Sequence, residues 1–275
     1  MRPFTYARPT ALSDAVALLS EHRDDARVLA GGTDLIIRLR DGTFAPKVVI
    51  DVKRIPEFAP EITVEGGLMR ISAGTVMTDI HDSPVVQKWF PALAEAARFV
   101  GSVQIRNRAT LAGNQCNASP AADTAPPLLI YDARLVVAGS GGEREVTLND
   151  FFVSSGVTTL GAGELVTGVV LPLPDGRHVG SAFQRRTRRR GHDLASVTLA
   201  VAVDESGATR LAYGSLGPRP LLFAGESGEP DLEAWFESAH PSPTSMRASP
   251  DYRVAMLRVL ADRAMATARQ RLAQA

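Results

Sequence analysis

Two glycine-centred segments constrain this chain more than anything else in it. Residues 29–39, LAGGTDLIIRL, run from an apolar strand pattern through Gly31 and Gly32 into an apolar helical pattern. Residues 110–129, TLAGNQCNASPAADTAPPLL, place Gly113, Asn114 and a series of small residues ahead of a second apolar run. Glycine lets the main chain approach another group closely, and successive N–H groups at such a turn form a concave donor surface for an anion. Each segment also reads as ordinary punctuation. The first can be a strand-to-helix turn with Thr33 or Asp34 as N-cap, and the second a surface loop with Asp123 capping the following helix. Two such turns in separate parts of one chain point to a ligand with two phosphates held between them. Neither is a P-loop, since GxxxxGKS and GxxxxGKT are absent, and neither has the GxGxxG spacing of a Rossmann turn. A dinucleotide such as FAD fits, although spacing alone does not choose FAD over NAD. Gly32 is expected to leave no room for a side chain.

Composition removes several classes of function. The 275 residues are 45% hydrophobic, enough for a real core and more than one lobe. Thirty basic and thirty acidic residues cancel, so no global field holds nucleic acid or an anionic membrane. No stretch approaches the roughly 18 apolar residues of a membrane span, and MRPFTYARPTALSDA has no signal-peptide core, so the expected location is the cytoplasm. Cys116 is the only cysteine. An internal disulfide and a protein-held iron–sulfur cluster, which takes about four thiolates, are both excluded. His22, His81, His178, His192 and His240 are scattered, with no HExxH or HxH metal pattern and no Ser-His-Asp grouping. No catalytic residue and no metal ligand is expected.

The punctuation divides the chain into three regions. Over 1–55, FTYARP, RVLA and KVVIDV read as strands, and LSDAVALLSEH as a helix with Leu12, Ala15, Val16 and Leu19 on one face, a small β-α-β unit. Over 56–172, the strands EITVEG, LMRISAG, ARLVVAG and REVTL alternate with the helical patterns FPALAEAARFV and DTAPPLLIYDA. Over 173–275, SAFQRR, ASVTLAVAVDE, ATRLAYGSLG and RPLLFAG read as strands backed by helices in PDLEAWFESA and YRVAMLRVLADRAMATARQRLA. The fold class is α+β. RRTRRRGHD, residues 185–193, has the look of a nucleic-acid patch, but strand patterns and overall neutrality favour contact with phosphate, flavin or another subunit. The Asn117-Ala118-Ser119 sequon carries no weight without a secretory signal. Cys116 reads as a packing residue.

Five segments occurring in order carry a resemblance: AGGTDL at 30–35, VIDV at 49–52, ISAGTVMTDI at 71–80, RNRATLAGNQCNASPAADTAPPLL at 106–129 and RRTRRRGHDLASVTLAV at 185–201. Together they resemble the FAD-binding medium subunit of the molybdenum hydroxylases, the family of carbon monoxide dehydrogenase and xanthine dehydrogenase. The resemblance implies a two-lobed FAD-binding domain of the p-cresol methylhydroxylase type, followed by a smaller C-terminal domain of the carbon monoxide dehydrogenase flavoprotein type. It places Ala30, Gly31, Gly32, Thr33, Asp34 and Leu35 on one side of the pyrophosphate and Thr110, Gly113 and Asn114 on the other. Asp123, with Ser119 nearby, maps to the residue that meets ribose or ribityl hydroxyls. Ala112 departs from the pattern, which often has glycine there.

The implied function is electron relay. A small 2Fe-2S subunit would pass electrons from a large molybdopterin-binding subunit, where substrate is hydroxylated, to this chain's FAD, and FAD would pass them to NAD, a quinone or another acceptor. The implied assembly is a dimer of heterotrimers. A self-sufficient FAD-dependent oxidase or dehydrogenase would need its own substrate pocket and acid/base groups, which the short C-terminal region and scattered histidines oppose. A non-redox scaffold subunit would have decayed motifs, whereas the glycine and asparagine positions are intact.

Overall fold

A computed structural model describes residues 1–189, 191–228 and 230–274. The first sheet is parallel, in the order β1 (Thr5–Ala7), β3 (Val48–Asp51), β2 (Ala26–Leu29). Helix α1 (Leu12–His22) buries Ala15, Val16 and Leu19, the face expected from their spacing, with Leu12 half-buried at its start. Every residue of β3 is buried. Leu29 pairs with Asp51 at the carboxyl ends of the strands, and there the chain turns through Ala30–Asp34 into α2 (Leu35–Asp41). Open α/β sheets hold their ligands at that end.

The second sheet is antiparallel: β4 (Ile62–Glu65), β5 (Leu68–Ser72), β10 (Leu165–Pro172), β6 (Arg134–Gly139), β7 (Gly142–Thr147). A hairpin of β8 (Phe152–Ser154) and β9 (Val157–Thr158) stands apart. Short helices fill the long connection: α3 (Met77–Asp82), α4 (Pro84–Trp89), α5 (Pro91–Phe99), α6 (Val103–Arg106), α7 (Leu111–Cys116) and α8 (Ala125–Ile130), with α9 (Leu148–Phe151) after β7. The segment after β5 pins α7 in place. Met77 N–H donates to the Ala109 carbonyl at 2.9 Å and Leu111 N–H to the Thr75 carbonyl at 3.1 Å. The sequence segments 71–80 and 106–129 are therefore joined by a single antiparallel bridge at Val76 and Thr110.

The third sheet runs β11 (Val179–Arg186), β12 (Val197–Asp204), β13 (Thr209–Gly214), β14 (Leu221–Gly225), all antiparallel. β12 is buried along its whole length because both faces are covered. Leu199, Val201, Val203, Leu211 and Tyr213 pack under α11 (Pro250–Leu272), whereas Ala200, Ala202 and Ala212 join the core shared with the second sheet. The alternation of large and small residues in VTLAVAVD thus sorts one strand between two neighbours: methyl groups let α8 come close, and branched side chains fill the space beneath α11. The PDLEAWFESA pattern yields only α10 (Leu232–Phe236), whose Trp235 stacks on Phe223, which stacks on Tyr213.

Two features clamp α11 to the sheets. A Cβ at Gly180 would lie 1.9 Å from the Ala268 carbonyl oxygen, so helix and strand meet main chain to main chain. Beyond it Arg271 donates to the Ser181 carbonyl at 2.6 Å and pairs with Glu95 of α5, whose other oxygen accepts from Phe183 N–H at 3.0 Å. Gly180→Val should lift α11 and lower stability by about 1–3 kcal/mol, as overpacking a close-fitted contact does. Urea unfolding of the purified chain measures it, and an unchanged midpoint would mean that the helix yields freely.

Candidate functional site

The two glycine segments meet. A Cβ at Gly31 would lie 2.1 Å from the Arg108 carbonyl oxygen and 3.1 Å from Ala109 Cα, so the turn after β2 rests directly on the main chain leading into α7. Gly31 is the glycine that meets main chain. Gly32 is required for a different reason: its φ of +79° is left-handed, a conformation that other residues rarely adopt, and a side chain there would strike Leu29 Cδ1 at 2.9 Å. Across the junction Asn117 Nδ2 stands 3.5 Å from Asp34 Oδ1, at the limit of a hydrogen bond.

The first turn is rich in free donors. Among the described residues, the main-chain N–H groups of Gly31, Gly32, Thr33, Asp34 and Leu35 donate to no protein acceptor, while Gly32 and Asp34 carbonyls accept the first bonds of α2. Asp34 holds the N-cap position of that helix, but its side chain makes no capping bond, and Thr33 makes none either. Successive unpaired N–H groups at a helix start suit an anion.

The second segment is a short helix rather than an open loop. Thr110 is buried and caps α7, its Oγ1 accepting from Gly113 N–H at 3.1 Å, so that donor is spent within the chain. Asn114 Oδ1 accepts from Thr124 Oγ1 at 2.7 Å and from Gln115 Nε2 at 3.3 Å, leaving Asn114 Nδ2 as a donor. Gln115 and Thr124 are themselves fully buried and joined at 2.8 Å. These two polar residues escaped the sequence reading although both lie inside the motif; burying a polar pair beside a glycine turn was the available signal. Ser119 Oγ accepts from Ala121 N–H at 3.3 Å and keeps its own proton free to donate. Desolvation pushes the Cys116 thiol up to about 12, so it stays a thiol at neutral pH, in keeping with a packing role.

Asp123 is not a helix cap. α8 has Thr124 at its N-cap position, and Asp123 turns instead to Arg185 of β11, Oδ2 to Nη1 at 2.9 Å. Both side chains are about nine-tenths buried. Asp123 Oδ1 has no hydrogen-bond partner, and neither has Gln115 Oε1. Burial pushes the Asp123 carboxyl up to about 7, with Arg185 acting in the opposite direction. A buried carboxylate oxygen without a donor is costly and is satisfied by a hydroxyl. The site thus has the donor set and the acceptor set of a phosphorylated polyol: free N–H groups at the first turn, Asn114 Nδ2 at the second, and one orphaned carboxylate oxygen beyond.

The run at 185–190 divides. Arg185 points inward, Arg186 donates to Tyr252 Oη at 2.9 Å, Arg188 donates to the Met246 carbonyl at 3.1 Å, and Arg188 and Arg189 pair with Asp193. Arg190 lies outside the described residues.

The family model described as FAD binding domain in molybdopterin dehydrogenase matches residues 2–174. The chain belongs to the FAD-binding subunits of the molybdenum hydroxylase family. It is 34% identical to the xanthine dehydrogenase FAD-binding subunit of Escherichia coli O157:H7, over 79% of this chain and 75% of that one. It is 31% identical to the carbon monoxide dehydrogenase medium chain of Hydrogenophaga pseudoflava, over 98% of each. A solved structure of the Hydrogenophaga pseudoflava carbon monoxide dehydrogenase superposes with a TM-score of 0.91 at 30% identity, covering 98% of this chain and 99% of that one. The protein is an FAD-dependent oxidoreductase subunit, its cofactor is FAD, and its α+β fold is that of the carbon monoxide dehydrogenase structures it matches. No helix among the described residues is long and apolar enough to cross a membrane.

Two outcomes follow from the geometry. Gly31→Ala should part the two segments and weaken FAD binding by about tenfold or more, since each misplaced donor costs roughly 1–3 kcal/mol; quenching of flavin fluorescence on titration reads it. Folded Asp123 keeps its proton up to about pH 7, whereas an unfolded aspartate loses it near about 3.9. Its contribution to stability is therefore full below the unfolded value and lost as pH rises through about 7. Asp123→Asn removes that titration. The ligand-free variant should gain on the parent between about pH 4 and pH 7, by on the order of 1 kcal/mol per pH unit at most, and hold that gain above. A difference in melting behaviour that is constant over that range would contradict it.

Proposed function

We propose that this chain is the electron-relay subunit of a heterotrimeric-type molybdenum hydroxylase, with FAD held across the junction of the two glycine segments. The carrying observation is the direct seat of Gly31 on the Arg108 carbonyl, which sets the donor-rich first turn against the segment leading into α7. In this reading residues 1–55 and 56–172 are the two lobes around the cofactor and 173–275 a C-terminal domain. Ala30, Gly31, Gly32, Thr33, Asp34 and Leu35 line one side of the pyrophosphate, with their free N–H groups as donors. Thr110 holds α7 by its cap, Gly113 allows close approach, and Asn114 donates through Nδ2 from the other side. Asp123 Oδ1 accepts from a ribose or ribityl hydroxyl, and Ser119 lies close enough in sequence to add a second contact. When bound, FAD supplies the redox chemistry.

The chain's own share is to bind, orient and shield the cofactor; no acid or base is assigned. Electrons arrive from a 2Fe-2S subunit fed by a molybdopterin-binding subunit and leave to NAD, a quinone or another acceptor, within a dimer of heterotrimers. Relatives named as medium chain, FAD-subunit and subunit alpha of dehydrogenase complexes support a partnered role. Exposed Leu194 and Met246, beside Arg186, Arg188 and Arg189, give an amphipathic surface suited to a partner. Arg185 is taken up internally and is not part of it.

The purified chain should carry FAD that acid precipitation releases intact. Reconstituted with its iron–sulfur and molybdopterin partners, it should bleach in the presence of the organic substrate only when both are added. Rapid bleaching of the lone chain by that substrate would favour a self-sufficient oxidase.

A further inference from the structure

Arg185 occupies a position that the cofactor reading leaves unexplained. It belongs to β11, in the third sheet, yet its guanidinium reaches across to the end of α5 and to the segment before α8. Nη1 donates to the Phe99 carbonyl at 2.8 Å and to Asp123 Oδ2 at 2.9 Å, Nη2 donates to the Asp193 carbonyl at 2.6 Å, and the group lies 5.5 Å from the centre of the Phe99 ring. Arg185 is thus fixed by the end of α5, by the loop after β11 and by Asp123 itself. A planar guanidinium held at several points sets the direction of the carboxylate it grips. Asp123 is gripped on one side: Oδ2 is taken by Arg185, and Oδ1 is buried and bare.

We propose that Arg185 is a positioning residue for FAD, holding Asp123 Oδ2 so that Oδ1 receives a cofactor hydroxyl, and that it thereby couples cofactor binding to the docking of the third sheet on the second. This rests on the assignment of Asp123 to the cofactor. The coupling has a simple origin. A hydroxyl donated to Oδ1 removes the penalty of the orphaned oxygen and favours the ionised carboxylate, which strengthens the pair with Arg185. A well-docked third sheet in turn presents Asp123 already oriented, and binding on one side must favour the other by the same factor. Arg185 need not touch the cofactor to do this.

The test uses the full chain stripped of FAD, with affinity read by flavin fluorescence and docking by amide hydrogen exchange. Added FAD should slow exchange in β11 as well as at the two glycine segments. Arg185→Met should weaken FAD binding roughly tenfold and abolish the slowing in β11, and Arg185→Lys should restore part of both. The losses from Asp123→Asn and Arg185→Met should not add, because both break one unit. If Asp123→Asn binds FAD as the parent does, the assignment of Asp123 fails and the proposal with it. If Asp123→Asn is impaired while Arg185→Met is not, or if the two losses simply add, the assignment stands and the role of Arg185 is overturned. Should Arg185→Met fail to fold, the parent alone decides: exchange in β11 that ignores FAD overturns the coupling.

Discussion

The seat of Gly31 on the Arg108 carbonyl governs the rest of the molecule. The turn that leaves the parallel sheet and the segment that enters α7 touch there without a side chain between them. Main chain against main chain fixes distance more tightly than interdigitated side chains can, since there are no rotamers to absorb an error. Everything the site needs follows from that spacing: the first turn keeps five N–H groups free, the second is held by the seam between residues 75–77 and 109–111, and Asn114 is locked by a buried amide and hydroxyl. A larger residue at position 31 would disturb all of these together.

The third sheet completes the arrangement by a different principle. Its contact with α5 and α8 is made by alanine methyls and by charged groups that reach back, Arg185 of β11 to Asp123 and Arg210 of β13 to Asp132, with Arg271 of α11 reaching Glu95. Flat apolar packing supplies most of the stability of such a contact, and buried ion pairs contribute direction more than energy. Burial lifts the Asp123 carboxyl toward neutrality beside the proposed cofactor hydroxyl.

Much of this was legible in the sequence. Strand patterns such as KVVIDV and ASVTLAVAVDE, and the helix face of Leu12, Ala15, Val16 and Leu19, became the elements they suggested, because period and burial agree over long segments. The helical patterns FPALAEAARFV and DTAPPLLIYDA became α5 and α8, but α3, α4, α6 and α7 were not separable, since four to six residues carry too little periodicity. The glycine segments announced a thin, donor-rich junction, but which glycine faces main chain and which needs a left-handed turn depends on a neighbour some eighty positions away, roughly, that no local pattern encodes. The inward turn of Arg185 was hidden for the same reason: within RRTRRRGHD it looks like its neighbours, and only the sheet register aims it at Asp123.

The pair between Arg271 and Glu95 spans 176 positions. During synthesis on the ribosome, the first two sheets emerge with every residue of both glycine segments well before α11 leaves the exit tunnel. Contacts of such long range close late, after local ones have formed. A nascent chain therefore passes through an interval in which the halves of the cradle exist while the face of the third sheet carrying Leu199, Val201, Val203 and Leu211, which α11 covers, is still bare and sticky. Loading of the cofactor and shielding from aggregation become one race, decided by how fast the end of the chain folds back on α5.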